Sequence, residues 1–179
     1  MILAAGLGTR LRPLTDRIPK ALIEVGGVPM LERVARRLIE AGADRLIVNV
    51  HHLSEQVVRF IEEKDRFGVE VCVSVEPERR LETGGGLKHA AGCFRKDAPF
   101  FMHNADVLTD ADLRALYAHQ AASDALATLA VRPAETPRYL VQDAEGRIVG
   151  YGNADVGTEY LAVPPEGPTE RVDFLGVHV

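Results

Sequence analysis

Cysteine, positive charge and long apolar runs are all scarce in this chain, and each shortage excludes something. Only Cys72 and Cys93 occur in 179 residues. They sit in apolar surroundings without CxxC spacing, so the expectation is a pair of reduced thiols in a cytoplasmic protein. Acidic residues outnumber basic ones 26 to 21, for a net charge of −5 and a pI near 5.7. That balance argues against a binder of nucleic-acid backbones. No apolar run nears the roughly 18 residues of a membrane span, and Met1 leads straight into a strand pattern rather than a signal peptide. At ~150 residues per domain the length suggests one domain. Such a chain buries about 70% of its unfolded surface and needs no disulfide or metal staple.

What is present reads as alternating strands and helices. Ile2 to Ala5 is a short apolar run ending at Gly6, with Gly8 close behind, which reads as a buried strand feeding a tight turn. Pro13 and Pro19 make the following stretch an ordered loop. Leu31, Val34, Ala35, Leu38 and Ile39 mark one amphipathic helix, with Gly42 as its stop. Leu46–Val50 is a strand, and Leu53, Val57, Phe60 and Ile61 mark a helix with Ser54 as candidate cap. Val69–Val75 and Phe100–Met102 are further strands. A helix with a Thr109/Asp112 capping box and an apolar face of Leu113, Leu116 and Tyr117 follows. This alternation predicts an α/β protein with a mostly parallel central sheet covered on both faces, and ligands outside the carboxyl ends of its strands, after residues 5, 50, 75 and 102. Beyond Leu126 the pattern changes to short strands at 127–131, 139–141 and 148–151, a polar loop over 152–169, and a strand over 174–179. Because the chain stops inside that strand, the expectation is that the natural protein continues.

The glycine-rich turn carries the first chemistry. Gly6-Leu7-Gly8 lets backbone N–H groups approach a phosphate, and Arg10 and Lys20 on the same loop suit a triphosphate. A dinucleotide fingerprint would need glycine where Leu11 stands, and no Walker A loop is present. This removes a nicotinamide-dependent oxidoreductase from the contenders. Leu81-Glu82-Thr83-Gly84-Gly85-Gly86 places three small residues before a helical stretch, allowing close approach to a flat ring or a phosphate, or simply relieving crowding. Phe100 to Met102 opens onto His103-Asn104-Ala105-Asp106. A carboxylate at a strand's carboxyl end suits Mg²⁺ held with phosphate oxygens, and Asn104 shares the face of Asp106. His51 and His52 lack zinc spacing and read as strand-end residues satisfied by backbone. No Ser, Cys or Lys nucleophile is paired with a base.

Residues 3–20, Leu-Ala-Ala-Gly-Leu-Gly-Thr-Arg-Leu-Arg-Pro-Leu-Thr-Asp-Arg-Ile-Pro-Lys, followed by Val25-Gly26-Gly27-Val28-Pro29-Met30-Leu31, resemble the signature of the sugar-1-phosphate nucleotidylyltransferases. The Leu-Glu-Thr-Gly-Gly-Gly loop is similar to the N-acetylmuramate-1-phosphate uridylyltransferase branch, with mannose-1-phosphate guanylyltransferases the next likeness. The resemblance implies a Rossmann-like three-layer α/β/α fold. It also implies Mg²⁺-dependent transfer of a nucleoside monophosphate from an NTP, UTP or GTP, to a sugar 1-phosphate. Carried over by position, Ala4, Ala5, Gly6, Gly8, Thr9, Arg10 and Lys20 hold the triphosphate, and Glu76, Glu82, Thr83 and Gly84 face the nucleotide. Asp106 binds the metal, and Arg10, Lys20 and Asp106 carry catalysis. Asn104, Arg138, Tyr139, Gly150 and Asn153 are sugar-side candidates. The family's glycine is replaced at Glu82 and at Ala105. Its second metal-binding Asp lies farther downstream, so the chain is read as a fragment unless Asp173 substitutes. Residues 1–179 are expected to form one domain, 1–125 its nucleotide-binding core and 126–179 the start of a sugar-binding part. No nucleic-acid or membrane partner is expected, and a homo-oligomer is allowed. The competing expectation is a nucleotide-binding regulatory homologue without turnover.

Overall fold

The structure, a computed structural model, describes residues 1–76, 80–96 and 98–179. Residues 77–79, within the expected ligand-facing loop after Val75, lie outside the described residues. The chain divides into two compact units, Met1–Thr128 with His178–Val179, and Leu129–Val177.

The first unit is built on four parallel strands. β1 (Ile2–Leu3) is flanked by β4 (Arg45–Val50) and β6 (Met102–Asn104), and β5 (Glu70–Val75) lies outside β4. A small hairpin of β2 (Glu24–Val25) and β3 (Val28–Pro29) precedes helix α1 (Met30–Glu40). Three further helices follow, α2 (Ser54–Glu63), α3 (Glu82–His89) and α4 (Leu113–Ala121). Period-two alternation sends Ile47 to one sheet face and Leu46, Val48 and Val50 to the other, all deeply buried. On the Ile47 side, Leu87 of α3 and Ala90, Cys93 and Phe94 of the turn after it pack on Met1, Leu3, Cys72 and Met102. α1 buries Leu31, Val34, Ala35 and Leu38, the stripe read from its spacing. Together these give the Rossmann-like α/β arrangement expected from the sequence, with its mostly parallel sheet.

The second unit is antiparallel. β8 (Arg138–Gln142), β9 (Ile148–Asn153) and β10 (Thr158–Leu161) pair in succession, and β11 (Glu170–His178) pairs with β8 and with β7 (Leu129–Pro133). Its core gathers Tyr139, Val141 and Val149 against Ala134.

Several local expectations are corrected. The strand expected at 100–102 starts at Met102, because its ladder partner is the short β1: Met1 and Leu3 carbonyls accept the His103 and Ala105 N–H groups. Phe100 turns away to stack on Phe94. Ser54 is the first residue of α2 rather than its cap, since Leu53 occupies that place in a left-handed conformation. In place of a Thr109/Asp112 capping box, Asp112 itself caps α4, accepting the Arg114 and Ala115 N–H groups, while Thr109 bonds Ala111. Gly84, Gly85 and Gly86 lie inside α3 rather than before it. The stretch 152–169 contains the end of β9 and all of β10, a fully exposed strand whose residues show no apolar alternation. Finally, Cys72 and Cys93 are bonded, not free. The turn carrying Cys93 packs on the face that carries Cys72 and brings their Cα atoms to 6.2 Å across 21 residues of sequence.

Candidate functional site

A pocket of about 230 Å³ opens where the parallel strands end, between Leu3, Ala5 and Gly6 after β1, Asn49 of β4, Glu76 after β5, and Asn104 and Asp106 after β6. Lys20 closes one side and Arg80, Glu82 and Thr83 the other. This is the crevice in which parallel α/β sheets place ligands. A larger cavity of about 300 Å³ lies near the amino ends of the same strands, beside Met1, Arg45 and Phe101. Its charged lining residues are engaged in ion pairs, Arg95 with Asp44 and Arg45 with Glu70.

The loop after β1 is a chain of three tight turns, Thr9–Leu11, Leu14–Asp16 and Lys20–Leu22, set by the prolines between them. Its shape is fixed from within. Thr15, 1% exposed, donates its hydroxyl to the Gly8 carbonyl at 2.9 Å. Gly8 has φ +64°, and a Cβ there would lie 2.7 Å from Thr15 Cγ2. Both the left-handed backbone and the crowding demand glycine. From outside, His52 Nε2 donates to the Thr15 carbonyl and Gln56 Nε2 to the Arg17 carbonyl, each at 3.0 Å. His52 is therefore backbone-satisfied, as the sequence suggested. Gly8, Thr9 and Arg10 form the turn that follows the pocket lining, and Arg10 is exposed.

Lys20 Nζ pairs with Asp106 Oδ2, joining residues 86 apart in sequence. The Asp106 side chain keeps 39% of its surface exposed, so solvent and ligand both reach it. Ala105 is 3% exposed and turned into the sheet, while Asn104 and Asp106 on either side of it reach the pocket. On the opposite wall Glu82 opens α3 at φ +58°, and its carboxylate pairs with Arg80. That backbone suits the glycine which the related signature carries at this position. Glu76 is 4% exposed, with both carboxylate oxygens engaged: Oε1 by Asn49 Nδ2 at 2.7 Å, Oε2 by the Leu81 N–H at 2.8 Å. Asn49, which sequence reasoning did not single out, is thus part of the site. Its signal was a polar residue inside the apolar run 46–50.

The sugar-side candidates other than Asn104 lie in the second unit. Tyr139 is buried, its hydroxyl donating to Glu159 at 2.9 Å and its ring under Arg171. Asn153 accepts the Asp155 N–H, Gly150 faces Leu161 across the β9–β10 pair, and Arg138 is exposed at the start of β8. Asp173, weighed as a substitute metal acid, accepts the Glu135 N–H at 3.0 Å and the Thr136 hydroxyl at 2.8 Å, anchoring the loop after β7. Among the described residues no group of three or more His, Cys, Asp or Glu side chains is arranged to hold a metal alone. No helix among them is long and apolar enough to cross a membrane.

Known proteins resemble this chain in sequence and in fold. The N-acetylmuramate alpha-1-phosphate uridylyltransferase of Caulobacter vibrioides is 41% identical over 108 residues, covering 59% of this chain and 44% of that protein. The mannose-1-phosphate guanyltransferase of Gibberella zeae is 37% identical over 139 residues, 76% of this chain and 38% of the relative. The chain spans about half the length, or less, of the curated relatives it matches. A crystal structure of HddC from Yersinia pseudotuberculosis complexed with GMP-PN shares the fold, with a TM-score of 0.75 at 20% identity over 99% of this chain and 73% of that one. Residues 1–149 match the family described as Nucleotidyl transferase, and the chain belongs to that family.

Proposed function

We propose that this chain transfers a nucleoside monophosphate from an NTP to a sugar 1-phosphate, releasing pyrophosphate. The observation that carries the reading is the meeting of Lys20 and Asp106 beside Ala5 and Gly6 in one pocket at the strands' carboxyl ends. A phosphate oxygen of the sugar phosphate attacks the α-phosphorus in line. The bond from that phosphorus to the bridging oxygen breaks, and pyrophosphate leaves with the electron pair. The attacking oxygen is already anionic, so no general base is needed, and catalysis is positioning and charge neutralisation. The loop from Ala4 to Thr9 receives the phosphates, Arg10 stabilises the departing pyrophosphate, and Lys20 holds the α-phosphate side. Glu82, Thr83 and Gly84 face the nucleotide.

Hard oxygen donors fit magnesium here: the Asp106 carboxylate, with the Asn104 side chain on the same pocket lining, is the one-carboxylate set that Mg²⁺ takes alongside phosphate oxygens. Bound with the triphosphate, Mg²⁺ would supply neutralisation of phosphate charge. Relatives named for uridylyl and guanylyl transfer support UTP as substrate, with GTP the second candidate, and a hexose 1-phosphate as acceptor. We assign sugar recognition to Asn104 on the pocket lining.

Thermal stabilisation by ATP, CTP, GTP, UTP and dTTP, with and without Mg²⁺, tests the reading. A triphosphate at 100 times its Kd adds about 2.7 kcal/mol, and UTP with Mg²⁺ is expected to give the largest shift. Arg10→Ala is expected to keep that shift while pyrophosphate release falls by about 10²-fold. Failure of every triphosphate to stabilise the protein removes the reading, and undiminished turnover in Arg10→Ala removes Arg10 from the mechanism.

A further inference from the structure

The carboxyl ends of β1, β4 and β5 are joined on the pocket lining by two buried polar side chains that the transfer chemistry does not use. Asn49 is 2% exposed and Glu76 4%. Asn49 Oδ1 accepts the Ala4 N–H at 3.0 Å, and Asn49 Nδ2 donates to Glu76 Oε1 at 2.7 Å. Glu76 Oε2 accepts the Leu81 N–H at 2.8 Å. The chain of bonds therefore starts at the first residue of the phosphate loop and ends at the residue before Glu82 and Thr83. α3 is fitted closely against it, since a Cβ on Gly86 would stand 2.7 Å from both Asn49 Nδ2 and Glu76 Oε1. A buried carboxylate is costly unless its oxygens receive hydrogen bonds. Here the protein itself supplies a donor to each oxygen, which ties Glu76 into the fold of the pocket.

We propose that Asn49 is a positioning residue of the nucleotide site, acting through Glu76. The pair is a strut that fixes the phosphate-loop wall, from Ala4 to Gly6, relative to the wall of Glu82 and Thr83. It sets the span into which a nucleotide fits. The proposal rests on the reading of this pocket as a nucleotide site. Polarity makes it testable. In Asn49→Asp the acceptor for the Ala4 N–H survives, but a second carboxylate faces Glu76. In the double variant Asn49→Asp/Glu76→Gln the bond returns with donor and acceptor exchanged. The amide introduced on the β5 side donates to the carboxylate introduced on β4. Its oxygen still accepts the Leu81 N–H, and the net charge equals that of the wild type.

The experiment measures KM and kcat for whichever of UTP or GTP the wild type binds better, with amide hydrogen exchange at Leu81. It is run on the whole chain, at a temperature where melting curves show every variant folded. Asn49→Asp is expected to raise KM about tenfold or more, with a smaller change in kcat, and to speed exchange at Leu81. The double variant is expected to return KM to within about threefold of wild type and to restore Leu81 protection. Two results overturn the proposal. One is a double variant with protected Leu81 and an uncorrected KM, which would mean that the Glu76 charge meets the ligand itself. The other is an unchanged KM or unchanged Leu81 exchange in Asn49→Asp. If the unmutated protein binds neither triphosphate, the nucleotide reading has failed instead, and the wild type alone reveals it.

Discussion

Glu82 stands where the related signature has glycine, and its backbone keeps glycine's conformation, φ +58°. A left-handed non-glycine residue costs about 1–2 kcal/mol. The partner it gains, Arg80, is exposed, and the Glu82 side chain is 72% exposed, so the ion pair offsets little of that cost. The expected outcome is that Glu82→Gly melts higher than Glu82→Ala, by about 1 kcal/mol of stability, because alanine keeps the strain and loses the pair. If Glu82 touches the nucleotide, both variants weaken NTP binding equally, which separates its binding role from its strain in one titration. Lys20 and Asp106 also depend on a partner far off in the chain: their pairing holds the two chemical groups of the site side by side, although nothing in their local sequences links them.

At the scale of elements, α3 is a poor helix by composition, with three consecutive glycines inside it. Each costs about 1 kcal/mol against alanine in an exposed helix. The three are not equivalent, however. A Cβ at Gly84 meets nothing within 4 Å, whereas at Gly86 it would collide with Asn49 and Glu76. Gly84→Ala is therefore expected to stabilise the protein by up to about 1 kcal/mol. Gly86→Ala is expected to destabilise it by about 1–3 kcal/mol through overpacking, despite the same gain in helix propensity. Chemical denaturation of the two variants beside wild type reads both signs. For α4, Asp112 carries the cap through two main-chain bonds, and Asp112→Ala is expected to cost about 1 kcal/mol.

Across the whole molecule, the parallel sheet carries a pH-sensitive residue in its core. His103 on β6 is 1% exposed, its Nδ1 bonded to the Asn104 carbonyl and its Nε2 without a partner among the described residues. Burial holds its pKa below the usual 6.5, and the nearby Arg37 charge acts in the same direction. The unfolded chain therefore binds a proton at a pH where the folded protein does not. The contribution of His103 to stability is complete above about pH 6.5 and is lost as the pH drops below the unfolded value, down to the folded pKa. Melting temperature is expected to decline as the pH falls below about 6.5, and His103→Leu is expected to make that decline shallower. Parallel pH profiles for the two proteins would leave His103 without this role.

The order of parallel strands and helices in residues 1–121 was legible in the sequence, because buried strands and amphipathic helices each leave a hydrophobic period. Gly8, Lys20 and Asp106 were legible too, since a glycine turn, a fixed cation and a strand-end carboxylate are local features of the chain. β10 was not, because an exposed edge strand is held by main-chain pairing and its side chains have no inward face to advertise. Glu76 was visible only as a pocket acid and Asn49 not at all. Their role lies in bonds to Ala4 and Leu81, supplied by strands distant along the chain. The same holds for Gly86, whose missing side chain makes room for a pair it meets only in three dimensions, and for Cys72 and Cys93, joined because a turn lands on a sheet face. Sequence determined the elements and the chemistry they carry. Tertiary structure decided which of those groups face a ligand and which hold the walls apart, because packing, unlike periodicity, depends on residues far away in the chain.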